Sequence, residues 1–147
     1  MFSRVRPVER PQSAQRVLGW IVLLGATLQF FLAGLAVFRA KPHNGDKLFK
    51  SSAFDVHRVL GDALILVAFA LLVLAIVNRE QVRLAVVLFV LMIVQFILAG
   101  AGESVAALGA LHPVHGVAIL GISHFLARGP RGAAKEPAPE PEEPAPA

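Results

Sequence analysis

The amino-acid sequence predicts an all-α fold, an integral membrane four-helix bundle built from two repeated transmembrane hairpins. Three observations predict it. Hydrophobic residues make up 56% of the 147 positions and mean hydropathy is +0.66, whereas a soluble domain is about half apolar at most. The apolar residues gather in four blocks, and the segments between the blocks hold nearly all the charge. Short stretches of the first two blocks recur in the last two.

The spans follow in order. Span one is Val17–Phe38, span two Phe54–Val77, span three Leu84–Ala101 and span four Leu111–Leu126, the last starting a turn or so earlier through "SVAALGA". Each approaches the roughly 20 residues that cross about 30 Å of hydrocarbon at helical rise. Helix is required because lipid offers no partner to an unpaired backbone group, and the blocks lack the alternation of barrel strands. The run from Leu18 to Phe38 exceeds the roughly 7–15 apolar residues of a signal peptide. No A-x-A-like site follows it, so it is expected to be a retained helix.

Domain organisation is correspondingly simple: a cytoplasmic N-terminal segment (1–16), a four-helix transmembrane domain (17–127) and a C-terminal tail (128–147). The tail, "RGPRGAAKEPAPEPEEPAPA", has no apolar periodicity and too little apolar surface to offset its ordering entropy, so disorder is expected. Nine Lys and Arg residues fall on the side of the two termini and the second loop, and five on the other side. That asymmetry places both termini in the cytoplasm. The pI near 10.4 is then a property of loops facing lipid headgroups, and no nucleic-acid partner is expected. The chain has no cysteine, which excludes disulfides, thiolate metal sites and cysteine nucleophiles.

Span one carries "LQFFLAGLAVF" and span three "VQFILAGAGES". Gln29, Phe30, Leu32, Ala33 and Gly34 match Gln95, Phe96, Leu98, Ala99 and Gly100 at an offset of 66. "VHRV" in span two matches "VHGV" in span four at an offset of 58, as a shorter loop after span three requires. Paired glutamines and paired histidines inside apolar segments are the informative part of this match. A duplicated hairpin is expected, a parallel repeat about an axis along the membrane normal.

Under that repeat His57 and His115 are equivalent and lie at similar depth, near the outer face. Two imidazoles from facing helices at one depth can supply both axial ligands of a haem inside a four-helix bundle. Gly61 and Gly116 provide room for a flat macrocycle, and Arg58, Lys47 and Lys50 provide charge for its propionates. His112 lies one turn before His115 on much the same face, with Pro113 read as part of a first helical turn, and is the alternative fourth-span ligand. The repeat favours His115. The same histidines can also be read without a cofactor, as amphipathic residues at the headgroups. His124 has no inner-side partner, and His43 falls in a loop. Gln29 and Gln95, near mid-membrane, are expected to hydrogen-bond to each other or across the bundle. Asp62 is a candidate for proton transfer, but its place four residues after Arg58 reads more simply as a helix-lip ion pair.

At "FDVHRVLGDALILV" and "LHPVHGVAILG" the sequence resembles an uncharacterised family of small four-span bacterial membrane proteins. There a "LQF-LAG" first span precedes an "HR-LG" second span and a fourth span opening with "LHP-NG". That resemblance implies a bacterial cytoplasmic membrane location and no established activity. Asparagine often stands at the position of His115, which lifts His112 as ligand. More distantly, the "HR-LG" opening resembles the haem-ligating helix in one four-helix half of haem A synthase. This implies a bis-histidine haem b held by spans two and four. Phe54 stands where those enzymes carry a glutamate, so haem oxidation is not implied.

Two functions are therefore expected in competition. The first is a small b-type cytochrome-like protein that binds one haem and passes electrons to a redox partner, with no catalytic residues assigned. The second is a non-catalytic accessory subunit of a larger membrane complex. A transporter ranks below both, since nothing suggests broken helices around a substrate site.

Overall fold

The computed structural model describes residues 10–39 and 52–129. The first nine residues, the loop carrying His43, Lys47 and Lys50, and the Pro-rich tail lie outside the described residues. Within them the chain is all helical: α1 (Arg10–Arg39), α2 (Ser52–Asn78), α3 (Val82–Gly102) and α4 (Ala106–Arg128). All four are long and apolar enough to cross a membrane. Each contains the span expected of it and extends beyond it.

The extensions have local causes. At the end of the bundle where α1 begins, the Gln15 Nε2 donates to the Glu80 carbonyl (3.1 Å) and the Arg16 Nε to the Ala127 carbonyl (3.5 Å). Those contacts hold the first turns of α1 against the connection between α2 and α3 and the end of α4. The α2–α3 connection is a Schellman turn, with Arg79 N–H bonded to the Ile76 carbonyl and Glu80 N–H to the Ala75 carbonyl. Arg79 adopts the left-handed conformation there (φ 57°). Because α4 starts at Ala106, Pro113 lies inside the helix and not in its first turn as expected. Lacking an N–H, it leaves the Gly109 carbonyl without its helical donor.

Helix α1 packs on α2 and α4, and α3 packs on α4 and α2. The four helices therefore form a square in which α1 lies diagonal to α3 and α2 diagonal to α4. The interior is built largely from small residues: Ala26, Ala36, Ala68, Ala75, Ala85 and Ala127 are buried, while Leu66 is 69% and Phe31 64% exposed. A soluble bundle would reverse that pattern. Lipid tails are as apolar as leucine, so helices gain little by burying leucine against each other and associate through close van der Waals approach. Two crossings depend on glycine. A Cβ on Gly19 would stand 2.7 Å from the Ala127 nitrogen, and one on Gly102 would stand 2.6 Å from the Gly109 Cα.

One polar side chain is fully buried in the packed half of the bundle. The Ser123 hydroxyl donates to the Ile119 carbonyl of its own helix at 2.7 Å, so its burial leaves no donor unmet. Leu64, Leu71, Leu88, Met92 and Leu126 are the larger side chains of the buried core. Gln15 is also buried, at the end where α1 begins, and a second group of polar side chains lies towards the opposite end, where α2 and α4 begin.

Candidate functional site

His57 is the sixth residue of α2 and His112 the seventh of α4, which puts the two at matched distance from one end of the bundle. Each is tied to a glutamine on the preceding helix by a reciprocal pair of hydrogen bonds. The Gln29 amide donates to the His57 carbonyl (2.9 Å), and the His57 Nδ1 bonds the Gln29 carbonyl (3.2 Å). The Gln95 amide donates to the His112 carbonyl (3.0 Å), and the His112 Nδ1 bonds the Gln95 carbonyl (3.2 Å). The glutamines do not bond one another, contrary to one of the sequence expectations. Each instead ties together the two helices of its own hairpin.

These bonds fix a tautomer. A backbone carbonyl can only accept, so each Nδ1 carries the proton and donates it. In a neutral imidazole the Nε2 then bears the lone pair. A third histidine follows the same logic. His115 Nδ1 lies 2.9 Å from the Gln95 Oε1, and because the amide nitrogen of Gln95 is committed to His112, that oxygen is the acceptor and His115 the donor.

The rings of His57 and His112 face across the α2–α4 diagonal with centres 6.2 Å apart and planes inclined by 52°. Of the two fourth-span histidines the sequence offers, the one whose ring lies by His57 is His112, while His115 turns to Gln95. The sequence register agrees with this. At an offset of 55, His57, Val59, Gly61 and Ala63 coincide with His112, Val114, Gly116 and Ala118, a longer match than the offset of 58. Leu60 then stands where His115 does, and the consequence is visible: Gln29 Oε1 is buried without a hydrogen-bond partner, whereas its counterpart on Gln95 is satisfied.

Gly61 and Gly116 lie one turn below His57 and His112. The space each leaves is in use: a Cβ on Gly61 would meet the Gln29 amide at 3.2 Å, and one on Gly116 would meet the Phe30 Cζ at 3.0 Å and the Gln95 amide at 3.5 Å. Phe30 itself is 37% exposed, so its ring has room to swing away from Gly116. At the rim Arg58 pairs with Glu103 in the α3–α4 turn (3.8 Å), both largely exposed. The expected Arg58–Asp62 ion pair does not form. Asp62 is exposed, and no hydrogen bond or ion pair engages it among the described residues.

Among the described residues no three His, Cys, Asp or Glu side chains gather to hold a metal ion. A bare cation at the histidine pair would find two protein ligands and would need the rest from elsewhere. Haem iron differs, because the macrocycle supplies four donors and the protein only the axial ones. Two imidazoles bound to one metal by bonds of about 2 Å, each nitrogen about 1.1 Å from its ring centre, have centres about 6 Å apart. The ring spacing and the Nδ1–H to carbonyl bonds are those two such ligands would need, while the Gln29 amide, Phe30 and the Gln95 amide fill the space beside Gly61 and Gly116.

The family described as "Family of unknown function (DUF6220)" matches residues 29–102. The matched stretch includes Gln29, His57, Gly61 and Gln95 and ends before His112. No curated protein and no solved structure matches the chain.

Proposed function

The chain belongs to this family of unknown function, and from its own geometry we propose that it is a small b-type cytochrome-like membrane protein that binds one haem through His57 and His112 for electron transfer. The observation that carries the reading is the imidazole pair: ring centres 6.2 Å apart across the bundle diagonal, with both Nδ1–H groups committed to glutamine carbonyls. Haem, when bound, supplies a one-electron couple. His57 and His112 would hold the group, and the chain's own part is to fix their tautomers through the Gln29 and Gln95 carbonyls and to set both rings among apolar helices. Arg58 stands at the rim, where a propionate can exchange with Glu103 as its partner.

The repeat supports the same reading, since two copies of one Gln–His hairpin place one ligand each at one depth. The excess of Lys and Arg on the side of the termini supports an orientation with both termini cytoplasmic and the histidines towards the outer face. A redox partner would then approach from that side. The test is haem content. Protein purified from membranes in mild detergent is expected to carry or take up one haem per chain, and His57→Ala to carry none; colourless protein that ignores added haem overturns the reading.

A second reading, an accessory subunit of a membrane complex, is favoured by Asp62. It is the eleventh residue of α2, roughly 15 Å from the helix start at 1.5 Å per residue, and its carboxylate is exposed on a lipid-facing helix. An ionisable group at that depth normally faces protein or water, so a neighbouring chain would explain it. The two readings are compatible, because a cytochrome-like subunit can also belong to a complex.

A further inference from the structure

The outward face of α2 carries charge that the bundle does not use. Val59, Asp62, Leu66, Phe69, Val73 and Ile76 are all exposed and follow one another at alternating spacings of three and four residues. This is the average spacing of 3.5 along which two helices pack side by side. A lipid-facing helix shows it without any partner, and α1 does so at Val17, Ile21, Leu24 and Leu28. What sets α2 apart is Asp62 within the seam, with Arg58 and Asp55 beside it, all three exposed. We propose that this face of α2 docks a second copy of the chain, held by reciprocal Arg58–Asp62 pairs between the copies. The proposal rests on the accessory-subunit reading for the premise that Asp62 faces protein, and goes further by naming the neighbour.

Depth makes the carboxylate costly. About 20 residues cross the hydrocarbon, so counting back from Val77 puts the near boundary close to Arg58. Asp62 lies four residues further in, about 6 Å at helical rise, where an ionised group normally faces protein or water. Among the described residues no hydrogen bond or ion pair engages it, and the Arg58 guanidinium turns instead to Glu103 at 3.8 Å. That contact is long and its side chains are 57% and 63% exposed, so the guanidinium keeps donors for another carboxylate. The order of charge then selects the partner. Down the helix it runs acidic, basic, acidic at Asp55, Arg58 and Asp62. A neighbour carrying only cations would attract Asp62 and repel Arg58. A second copy inserts the same way, and a two-fold axis along the membrane normal keeps equal residues at equal depth. Each Arg58 then stands one helical turn above the other copy's Asp62, within reach of a long side chain. Ala63 and Ala70, exposed beside the seam, allow close approach. The shallow groove lined by Asp55, Val56, Val59, Leu60 and Ala63 lies on the same side and gives apolar side chains of the other copy a place to seat.

The experiment is disulfide cross-linking of the full-length protein in its native membrane. The chain has no cysteine, so one introduced thiol reports contact between copies without background. Leu66→Cys and Val73→Cys are expected to give a linked dimer on oxidation, and Leu24→Cys on the outward face of α1 to give none. Adding Asp62→Leu or Arg58→Leu to Leu66→Cys is expected to weaken association by about 5–10-fold, the effect of two average polar contacts between membrane helices. Both side chains are exposed, so neither change disturbs the packed core. The decisive arm co-expresses the two weakened chains under different tags. Each alone lacks both reciprocal pairs, whereas a mixed dimer regains one of them, so mixed dimers are expected in excess of random mixing. A pair within one chain cannot produce that excess. Absence of dimer at Leu66→Cys and Val73→Cys, equal linking at Leu24→Cys, or mixed dimers at the random proportion overturns the proposal. Leu66→Cys labelled with a photoactivated benzophenone separates the two failures. Capture of a different protein alone overturns the second copy and leaves the accessory-subunit reading standing, while capture of lipid alone overturns both.

Discussion

The imidazole rings of His57 and His112 lie 6.2 Å apart, although the helices that carry them, α2 and α4, sit on a diagonal of the bundle and do not pack on one another. Their meeting is arranged by the other two helices. Gln29 on α1 and Gln95 on α3 each take one histidine by its ring and its backbone, and the square of helices then turns both rings inward.

The two glutamines should not be equally valuable. Gln95→Leu removes its bond to the His112 carbonyl and its bond from His115, while Gln29→Leu removes one bond and also abolishes an orphaned acceptor. Hydrogen bonds between membrane helices contribute about 0.6 kcal/mol on average. Thermal unfolding in detergent is expected to show Gln95→Leu destabilised by about 1 kcal/mol or somewhat more, and Gln29→Leu close to wild type.

The converse change should stabilise. Leu60→His places an imidazole three residues after His57, where it can donate to Gln29 Oε1. Satisfying a buried acceptor is expected to add about 0.5–1.5 kcal/mol, read as a raised unfolding midpoint. An unchanged or lowered midpoint would show that the two hairpins differ in geometry as well as in sequence.

Four spans, their order and an all-helical fold are legible in the sequence, because length and hydropathy alone decide them in lipid. The site is half legible. Pairing the "VH" dipeptides sets His57 against His115, whereas in the structure the ring that lies by His57 is that of His112. The pattern H-x-V-x-G, present at His57 and at His112, is the better signal, since a glycine one helical turn from each histidine is a constraint on packing and a valine beside it is not. The Gln-to-backbone bonds are not legible, because a side chain that bonds a carbonyl leaves no trace in the partner's residue type. The Arg58–Asp62 spacing misleads for a related reason: spacing on one helix makes a pair available, and Glu103 in the neighbouring turn competes for the same guanidinium.

Glycines divide sharply by what faces them. Gly19→Ala would press a methyl against the Ala127 backbone at 2.7 Å, where nothing flexible can yield, and is expected to cost about 1–3 kcal/mol, as overpacking does. Gly34→Ala and Gly100→Ala face open space and are expected to be neutral or slightly stabilising, since alanine is the better helix former. Unfolding midpoints of the three variants check this.

Phe30 covers Gly116 and so guards the space beside His112. Phe30→Ala is expected to speed haem uptake several-fold, measured by mixing haem with haem-free protein and following absorbance. Gly116→Leu, which fills the space permanently, is expected to abolish uptake.

The most direct test of the central claim is the visible spectrum of the purified protein, oxidised and then reduced with dithionite, in wild type and in His57→Ala, His112→Ala and His115→Ala. A Soret band with sharp reduced α and β bands, lost in His57→Ala and His112→Ala and retained in His115→Ala, is the predicted result. A preparation that stays colourless after haem is added, or bands that survive both His57→Ala and His112→Ala, would contradict it.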